Sequence, residues 1–317
     1  MKSTILQEIK SKAAGLHKRI ALIAGDSRVS EALSIITENR IAIPVLVGKK
    51  SEIENQLSGK QLREIEIADT AELKEQFIAR YENRIKNIGD CSENPVYIAA
   101  MLVESGAVAG AVAGADSPTA EVARAALKII GTIGDFPMSG AFLMVSDDKK
   151  LGYGGAFVFS DCAVIPRPDS YQLACIATDA ANLARLLGIE PVVAMLSYST
   201  NLSARGKEVE RIRDALEFLK TADFAVDGEM QLDAAIVKEI GKRKYPESKV
   251  AGRATVLIFP DLNSGNIGYK LAERIGKMKA IGPIFLGIKK PFNDLSRGCA
   301  AGDIVNSVAL TSLMCPC

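Results

Sequence analysis

Within the stretch Asn293 to Asp303 (NDLSRGCAAGD) a hydroxyl at Ser296, a guanidinium at Arg297 and a carboxylate at Asp303 come together, broken by Gly298 and Gly302. Loops run over the surface and carry function more often than the elements they join. An arginine beside a serine can hold a phosphate bidentately and screen developing negative charge, and a carboxylate a few residues further on can swing back to meet the serine. That set suits transfer of an acyl group to or from phosphate. The same Asp303 stands before the helical run Ile304-Val305-Asn306 and makes a good N-cap. A helix dipole lowers the pKa of a cap carboxylate and weakens it as a base. Local sequence leaves both roles open.

Three other loops offer polar groups at places where α/β proteins hold ligands. Val192 to Arg205 ends a strand and runs into Ser197, Tyr198, Ser199 and Thr200, at the carboxyl end where the crevice of a parallel sheet opens. The alternative is a polar loop that satisfies its own backbone. Phe259 to Lys270 has the same strand-to-helix placing, with Asn263 and Asn266 able to donate and accept; Asn263 could equally cap the helix. Gly114 to Thr119 opens a helix running to Ile130, with Pro118 in its first turn and Arg124 further along, and helix N-termini attract anions. Ser197, Tyr198, Ser199, Asn263, Asn266 and Thr119 are therefore candidate substrate contacts. The charges from Arg80 to Lys86 read as a solvated helix face when nothing else is known.

These loops need a scaffold, and the chain supplies one by alternating strand-length apolar runs with amphipathic helix-length segments, the signature of parallel α/β units. Strands are expected at 19–26, 41–48, 64–69, 107–113, 156–161, 192–197, 224–227, 254–260 and 282–287, with helices between them, including one at 231–240 and a last one at 303–314. The spacing of Gly106, Gly110 and Gly114 reads as close strand-to-helix packing. Gly152-Tyr153-Gly154-Gly155 reads as a hairpin turn, and no GxGxxG or GxxxxGK string stands in nucleotide-binding context. The chain's 317 residues exceed what one core usually organises, so two domains are expected. A composition shift near Ser139 divides them into 1–139 plus 294–317, with the last helix returning to the first domain, and 140–293.

A hydrophobic share of 48% with 24% charged residues is that of an ordinary globular protein, and a formal charge of +1 lacks the basic footprint of a duplex-binding protein. No nucleic-acid partner is expected. Met1 to Arg19 lacks the apolar core of a signal peptide, and 97–115 is broken by Glu104, Ser105 and glycines, so a cytoplasmic protein with no membrane span is expected. Six cysteines without a CxxC pair, and His17 as the single histidine, argue against a metal site. His17 falls in a polar first helix and reads as a surface residue, and Cys315-Pro316-Cys317 reads as a frayed end.

The strings NDLSRG with Asp303 behind it, VAMLSYST at 193–200, VDGEMQLDAAI at 226–236 and FPDLNSGNIGYK at 259–270 together resemble the phosphate acetyltransferase (phosphotransacetylase) family. The resemblance implies a two-domain α/β fold with an interdomain cleft, similar to isocitrate and isopropylmalate dehydrogenases, and a homodimer. It implies reversible exchange of an acetyl group between acetyl-CoA and phosphate, giving acetyl phosphate and CoA. The family's catalytic serine, arginine and aspartate fall on Ser296, Arg297 and Asp303. Two further arginines linked to coenzyme A fall on Arg84 in YENRIKN, whose surroundings differ from the family's, and on Arg124 in GADSPTAEVAR. Several members carry a histidine where Ser117 stands. No tightly bound cofactor or metal is implied, coenzyme A being a substrate. Alternatives are a phosphate butyryl- or propionyltransferase and a non-catalytic acyl-CoA-binding regulatory domain. A metal-dependent dehydrogenase on the similar fold would need clustered acids that the sequence does not show.

Overall fold

The computed structural model describes residues 4–57, 59–85 and 91–316, and the chain divides into two compact units, Met1–Ile133 with Ile288–Cys317, and Gly134–Gly287. The last helix thus joins the first unit, and the chain changes unit before Gly134 and after Gly287 rather than after Ser139 and Asn293.

In the first unit the chain runs α1 (Ile5–Ala14), β1 (Arg19–Ile23), α2 (Ser27–Glu38), β2 (Ile43–Gly48), α3 (Lys50–Gln56), α4 (Gly59–Glu64), β3 (Glu66–Asp69), α5 (Thr70–Tyr81), α6 (Pro95–Ser105), β4 (Gly110–Val112) and α7 (Thr119–Ala125), the last continuing as a π-helical turn, Ala126–Ile130. In the second it runs β5 (Ser139–Val145), β6 (Ala156–Ser160), α8 (Ser170–Leu186), β7 (Val192–Leu196), α9 (Lys207–Phe218), β8 (Ala225–Met230), α10 (Leu232–Ile236), α11 (Lys238–Lys244), β9 (Val256–Ile258), α12 (Leu262–Arg274) and β10 (Lys279–Leu286). It then returns as β11 (Phe292–Asn293) and α13 (Ala301–Met314).

The first sheet has the order β11-β4-β1-β2-β3, every pair parallel. Both faces of such a sheet must be covered. α1, α2 and α13 pack together against it, while α5, α6 and α7 form a second group in which α6 also touches β1, β2 and β4. α6 is buried along its whole run from Val96 to Val103, which is why it shows little amphipathic contrast. Its ends are written in the sequence: Asn94 accepts the Val96 N–H, Pro95 stands at N1, and Gly106 takes the left-handed φ of 83° at the end. Gly110 lets α13 close on β4, since a Cβ there would meet Thr311 Cγ2 at 2.9 Å and Cys315 Sγ at 3.2 Å.

The second sheet has the order β10-β5-β6-β9-β7-β8. β6, β9, β7 and β8 are parallel, but β5 is antiparallel to both β6 and β10, so the expectation of parallel units throughout holds for part of this sheet only. The cause is local: the short connection from 146 to 155 turns back at Tyr153–Ala156, and a connection that short can join only antiparallel neighbours. Phe142, Met144, Phe157, Phe159, Leu196, Leu257 and Phe259 form one core face, closed by Met230 and by Tyr269, which stacks on Phe142 at 4.0 Å between ring centroids.

Three local expectations are corrected. The helix expected at 231–240 is two short helices broken at Val237, whose backbone is extended. His17 lies in the link between α1 and β1, not within the helix, and is exposed. The chain end is not frayed as far as Pro316: the Cys315 thiol is buried and donates to Thr311 O at 3.2 Å, and Lys18 Nζ donates to Pro316 O at 2.6 Å. Cys317 lies outside the described residues, as do Lys86 and Asn87 of the YENRIKN string. No helix among the described residues is long and apolar enough to cross a membrane.

Candidate active site

The segment 293–303 is built outward from its anchors. Asn293, the last residue of β11, is buried and donates to Thr311 Oγ1 on α13 at 2.9 Å. Asp294 follows with no exposed surface at all. Its carboxyl occupies the place where a side chain at residue 114 would go: a Cβ built on Gly114 would stand 1.7 Å from Asp294 Oδ1 and 2.9 Å from Leu295 N. Gly114 also holds a φ of 90°, so glycine is required there on both counts. Burial pushes the Asp294 carboxyl up to about 7; the Thr119 hydroxyl and the Leu295 N–H act the other way. Neither closes a bond of good geometry, and both carboxyl oxygens are left unpaired.

After Leu295, which is buried, the chain emerges at Ser296, Arg297 and Gly298 and turns in again at Cys299. The turn is held from within by two contacts, Gly298 N–H to Ser296 Oγ at 3.3 Å and Cys299 N–H to Ser296 O at 2.9 Å. The guanidinium of Arg297 is exposed and has no partner among the described residues. Asp303 sits in the first turn of α13, not before it: Ala300 precedes the helix, and Asp303 Oδ2 accepts the Ala300 N–H at 2.9 Å. Asp303 therefore supports the helix start as N3 and not as the N-cap residue, because the helix begins at Ala301, three residues before the apolar run at Ile304. The structure places no hydrogen bond between Ser296 and Asp303, so the expected swing of one to the other is not present; Oδ1 of Asp303 stays open.

The residue that fixes this turn from outside is not among the sequence candidates. Asp26 caps α2 at the carboxyl end of β1 and accepts the Arg28 N–H at 2.8 Å. Its carboxylate also takes Arg28 Nε, at 2.9 and 3.0 Å, and a short contact from Nη2. Arg28 Nη1 donates to Arg297 O at 2.8 Å and to Cys299 O at 2.7 Å, and Nη2 donates to Ala115 O at 2.9 Å. The one signal in the sequence that points to it is an Asp-Ser-Arg triplet at the end of the first strand.

The other candidates of this unit lie on its second group of helices and loops. Thr119 is the first residue of α7, beside Asp294. Arg124, in the last turn of α7, is exposed and lies beside the hydroxyl of Tyr97, which burial and the neighbouring Cys91 push up while Arg124 works the other way. Arg84 is exposed just past α5, its Cζ 6.0 Å from the ring centroid of Tyr81. That ring belongs to a charged cluster in which Glu104 Oε2 accepts from Tyr81 OH at 2.9 Å and from Arg80 at 2.6 and 3.0 Å. The face from Arg80 to Arg84 is thus a bonded cluster and not merely a solvated one.

In the second unit the hydroxyl loop is held by a buried carboxylate. Glu229 accepts from Arg213 Nε at 2.7 Å, Arg213 Nη2 at 3.0 Å, Ser199 Oγ at 2.8 Å and Leu202 N at 3.0 Å. Burial works against its charge, but Arg213 and the Ser199 hydroxyl outweigh it and hold the carboxyl down to about 2. Ser199 is completely buried, its hydroxyl engaged with Glu229 and with the Ala204 N–H, so it faces away from solvent. Ser197 is half-buried and accepts the Ser199 N–H at 3.2 Å, and Tyr198 is exposed. The serine-rich string and the glutamate of VDGEMQ are therefore two halves of one structural element.

Asn263 and Asn266 are on α12, whose cap is Asp261, accepting the Ser264 N–H at 2.9 Å. Asn263 is accordingly not the cap; it is exposed and lines a cavity of roughly 310 Å3 with Pro166, Arg167, Glu208, Arg211 and Asp261. Asn266 donates to Cys162 O at 3.2 Å and so fastens α12 to the loop after β6. That loop is organised by Asp161, which collects the N–H groups of Gly140, Ala163, Val164 and Ile165. Gly265 lets α12 approach it, since a Cβ there would stand 2.2 Å from Asp161 O.

The comparisons with known proteins agree with this architecture. The family model described as phosphate acetyl/butaryl transferase matches residues 4–312. The phosphate acetyltransferase of Thermoanaerobacterium thermosaccharolyticum is 43% identical over 324 residues, covering 98% of this chain and 99% of that protein. The solved structure of a phosphotransacetylase from Streptococcus pyogenes superposes with a TM-score of 0.86 at 36% identity, covering 98% of this chain and 97% of that one. A dehydrogenase-like chain from Salmonella typhimurium, 12% identical over 94% of this chain and 99% of its own, has a TM-score of 0.54 and shares the fold alone. Two α/β domains of dehydrogenase-like fold, with these relatives, define an acyltransferase. More narrowly, the chain belongs to the phosphate acetyl/butaryl transferase family.

Proposed function

We propose that this protein is a phosphate acetyltransferase, moving an acetyl group reversibly between coenzyme A and inorganic phosphate. The observation that carries the proposal, given the family, is Arg297: an exposed guanidinium with no partner among the described residues, on a turn whose serine and whose following aspartate flank it. An unpaired guanidinium fork is suited to a phosphate dianion.

In the direction of thioester formation, Asp303 takes the proton of the coenzyme A thiol through Oδ1, Oδ2 being occupied by the Ala300 N–H. The thiolate attacks the acetyl carbonyl carbon of acetyl phosphate. The carbon–oxygen bond to phosphate then breaks, and inorganic phosphate leaves against Arg297. A free thiol titrates near about 8.5, so a base and a nearby positive charge both assist at neutral pH. Ser296 orients the reacting groups, and holding both substrates together supplies much of the rate by orientation, which favours direct transfer over an acyl-enzyme on Ser296 or Cys299. Arg84 and Arg124 are assigned to the phosphates of coenzyme A, and Thr119, Ser197, Tyr198 and Asn263 to polar contacts with the substrates. Written this way, the reaction calls for no tightly bound cofactor.

The test is formation of thioester absorbance on mixing the purified chain with acetyl phosphate and coenzyme A. Turnover that depends on both substrates supports the proposal; a folded protein that forms no thioester overturns it. Acetyl, propionyl and butyryl phosphates compared side by side decide the acyl chain, which the family description leaves at acetyl or butyryl.

A further inference from the structure

We infer that Arg28 is a positioning residue for Arg297, fixing the turn 296–299 in the form that presents the Arg297 guanidinium. This rests on the role proposed for Arg297 above and adds a residue that acts through it.

A guanidinium has five N–H donors in a rigid plane. In Arg28 all five are used: Nε on the Asp26 carboxylate, Nη2 on that carboxylate and on Ala115 O, and Nη1 on Arg297 O and Cys299 O. Three segments far apart in the chain meet on this one group: the β1–α2 turn, the loop after β4 that leads to Thr119, and the Ser-Arg turn. The turn itself contributes only two internal bonds, one of them long at 3.3 Å. Its shape therefore depends on the carbonyls that Arg28 gathers. The arrangement is also not adaptable to a lysine, because an ammonium has three donors without a plane and cannot span two carbonyls on one side and a carboxylate with a third carbonyl on the other. Asp26 completes the device: its carboxylate binds the Nε–Nη2 edge of the guanidinium and caps α2, so the plane of Arg28 is set by the helix start. Burial of the pair is substantial, with side-chain exposures of 26% for Arg28 and 16% for Asp26, which limits competition from water.

A group that only held the fold would lower stability without altering turnover per folded molecule. A group that positions Arg297 should act on the step in which phosphate is held. The experiment uses the full chain with Arg28→Lys, and Arg297→Gln as the reference, and reads two things. The first is kinetics with acetyl phosphate and coenzyme A. Expected for Arg28→Lys are a fall in kcat of about tenfold to a hundredfold and a rise in KM for acetyl phosphate that exceeds any rise in KM for coenzyme A, as misplacing a binding group by about an ångström does. The second is hydrogen–deuterium exchange of the amides from 296 to 300, expected to quicken in Arg28→Lys while α13 beyond Asp303 is unchanged.

Unchanged kcat and KM in a folded Arg28→Lys protein overturn the inference, whether or not exchange quickens. Equal rises in both KM values also overturn it, since the effect would then not pass through the phosphate-holding residue. Should the wild-type chain itself form no thioester, the proposed function fails, and the exchange measurement still decides whether Arg28 holds the turn. If Arg28→Lys proves unstable, Asp26→Asn, which keeps a cap acceptor and loosens only the charged edge, is expected to show the same pattern at smaller size.

Discussion

Replacing Asp294 with asparagine should change how stability depends on pH, and the size of the change follows from the site. The Asp294 side chain is fully buried, neither carboxyl oxygen has a bond of good geometry, and burial pushes the group from the ordinary aspartate range to about 7. The folded-state pKa is therefore above the unfolded one, so the folded protein keeps a proton that the unfolded chain releases. The stability linked to that proton is complete below the unfolded pKa and is lost as pH rises through about 7. Between about pH 5.5 and about pH 8.5 the loss runs at about 1.4 kcal/mol per unit over the roughly 1.5 units below the midpoint, hence about 2 kcal/mol. For a unit of this size that is about 4–8 °C in Tm. The amide of the Asp294→Asn variant does not titrate. Buried there, it costs on the order of 1–3 kcal/mol, but by the same amount at both pH values. The informative quantity is thus the difference of differences: calorimetry or urea unfolding of wild type and Asp294→Asn at each pH. Asp179, which burial likewise pushes up to about 7, titrates in both proteins and cancels. Wild type and variant losing the same stability between the two pH values would show that Asp294 is already ionised in the folded protein, and the account of its burial would be wrong.

The remaining expectations follow from the same geometry. Arg297→Gln should lower kcat by about a hundredfold or more with little change in Tm, because the side chain is exposed and unpaired; a large fall in Tm would point to a structural role instead. Asp303→Asn should also cost most of the rate while keeping stability within about 1 kcal/mol, since an amide oxygen can still accept the Ala300 N–H. Full activity in that variant would remove Asp303 as the base. Arg213→Met should destabilise the second unit by about 3–5 kcal/mol by leaving the Glu229 carboxylate buried without its counter-charge, and adding Glu229→Gln should recover part of it; unfolding measured at neutral pH checks both. In the wild type the Glu229 contribution is present above the usual glutamate pKa and is lost only as pH falls toward about 2, so acid titration should show the Arg213→Met protein losing less than the wild type in that range.

Much of this architecture is legible where the information is local. The tight turn at 152–155 and the all-parallel first sheet follow from residues a few positions apart and from apolar runs bounded by Gly, Asn and Asp. The antiparallel placing of β5 is not legible in the same way, although the hairpin turn is, because the consequence of that turn for strand direction lies one step beyond the pattern. The site divides on the same line. Ser296, Arg297 and Asp303 are close in sequence, and their types announce a chemistry. Their partners are not close. Arg28 reaches Arg297 and Cys299 across some 270 positions, and Glu229 reaches Ser199 across 30. Ser199 therefore reads as a ligand contact when its hydroxyl is turned inward to a carboxylate, and Arg28 is not among the sequence candidates at all. Side-chain type shows what a group can bind but not which of its bonds folding has already filled. For Ser199 the filled bonds reverse the reading, whereas for Arg297 the absence of any among the described residues is what leaves a guanidinium ready for an anion.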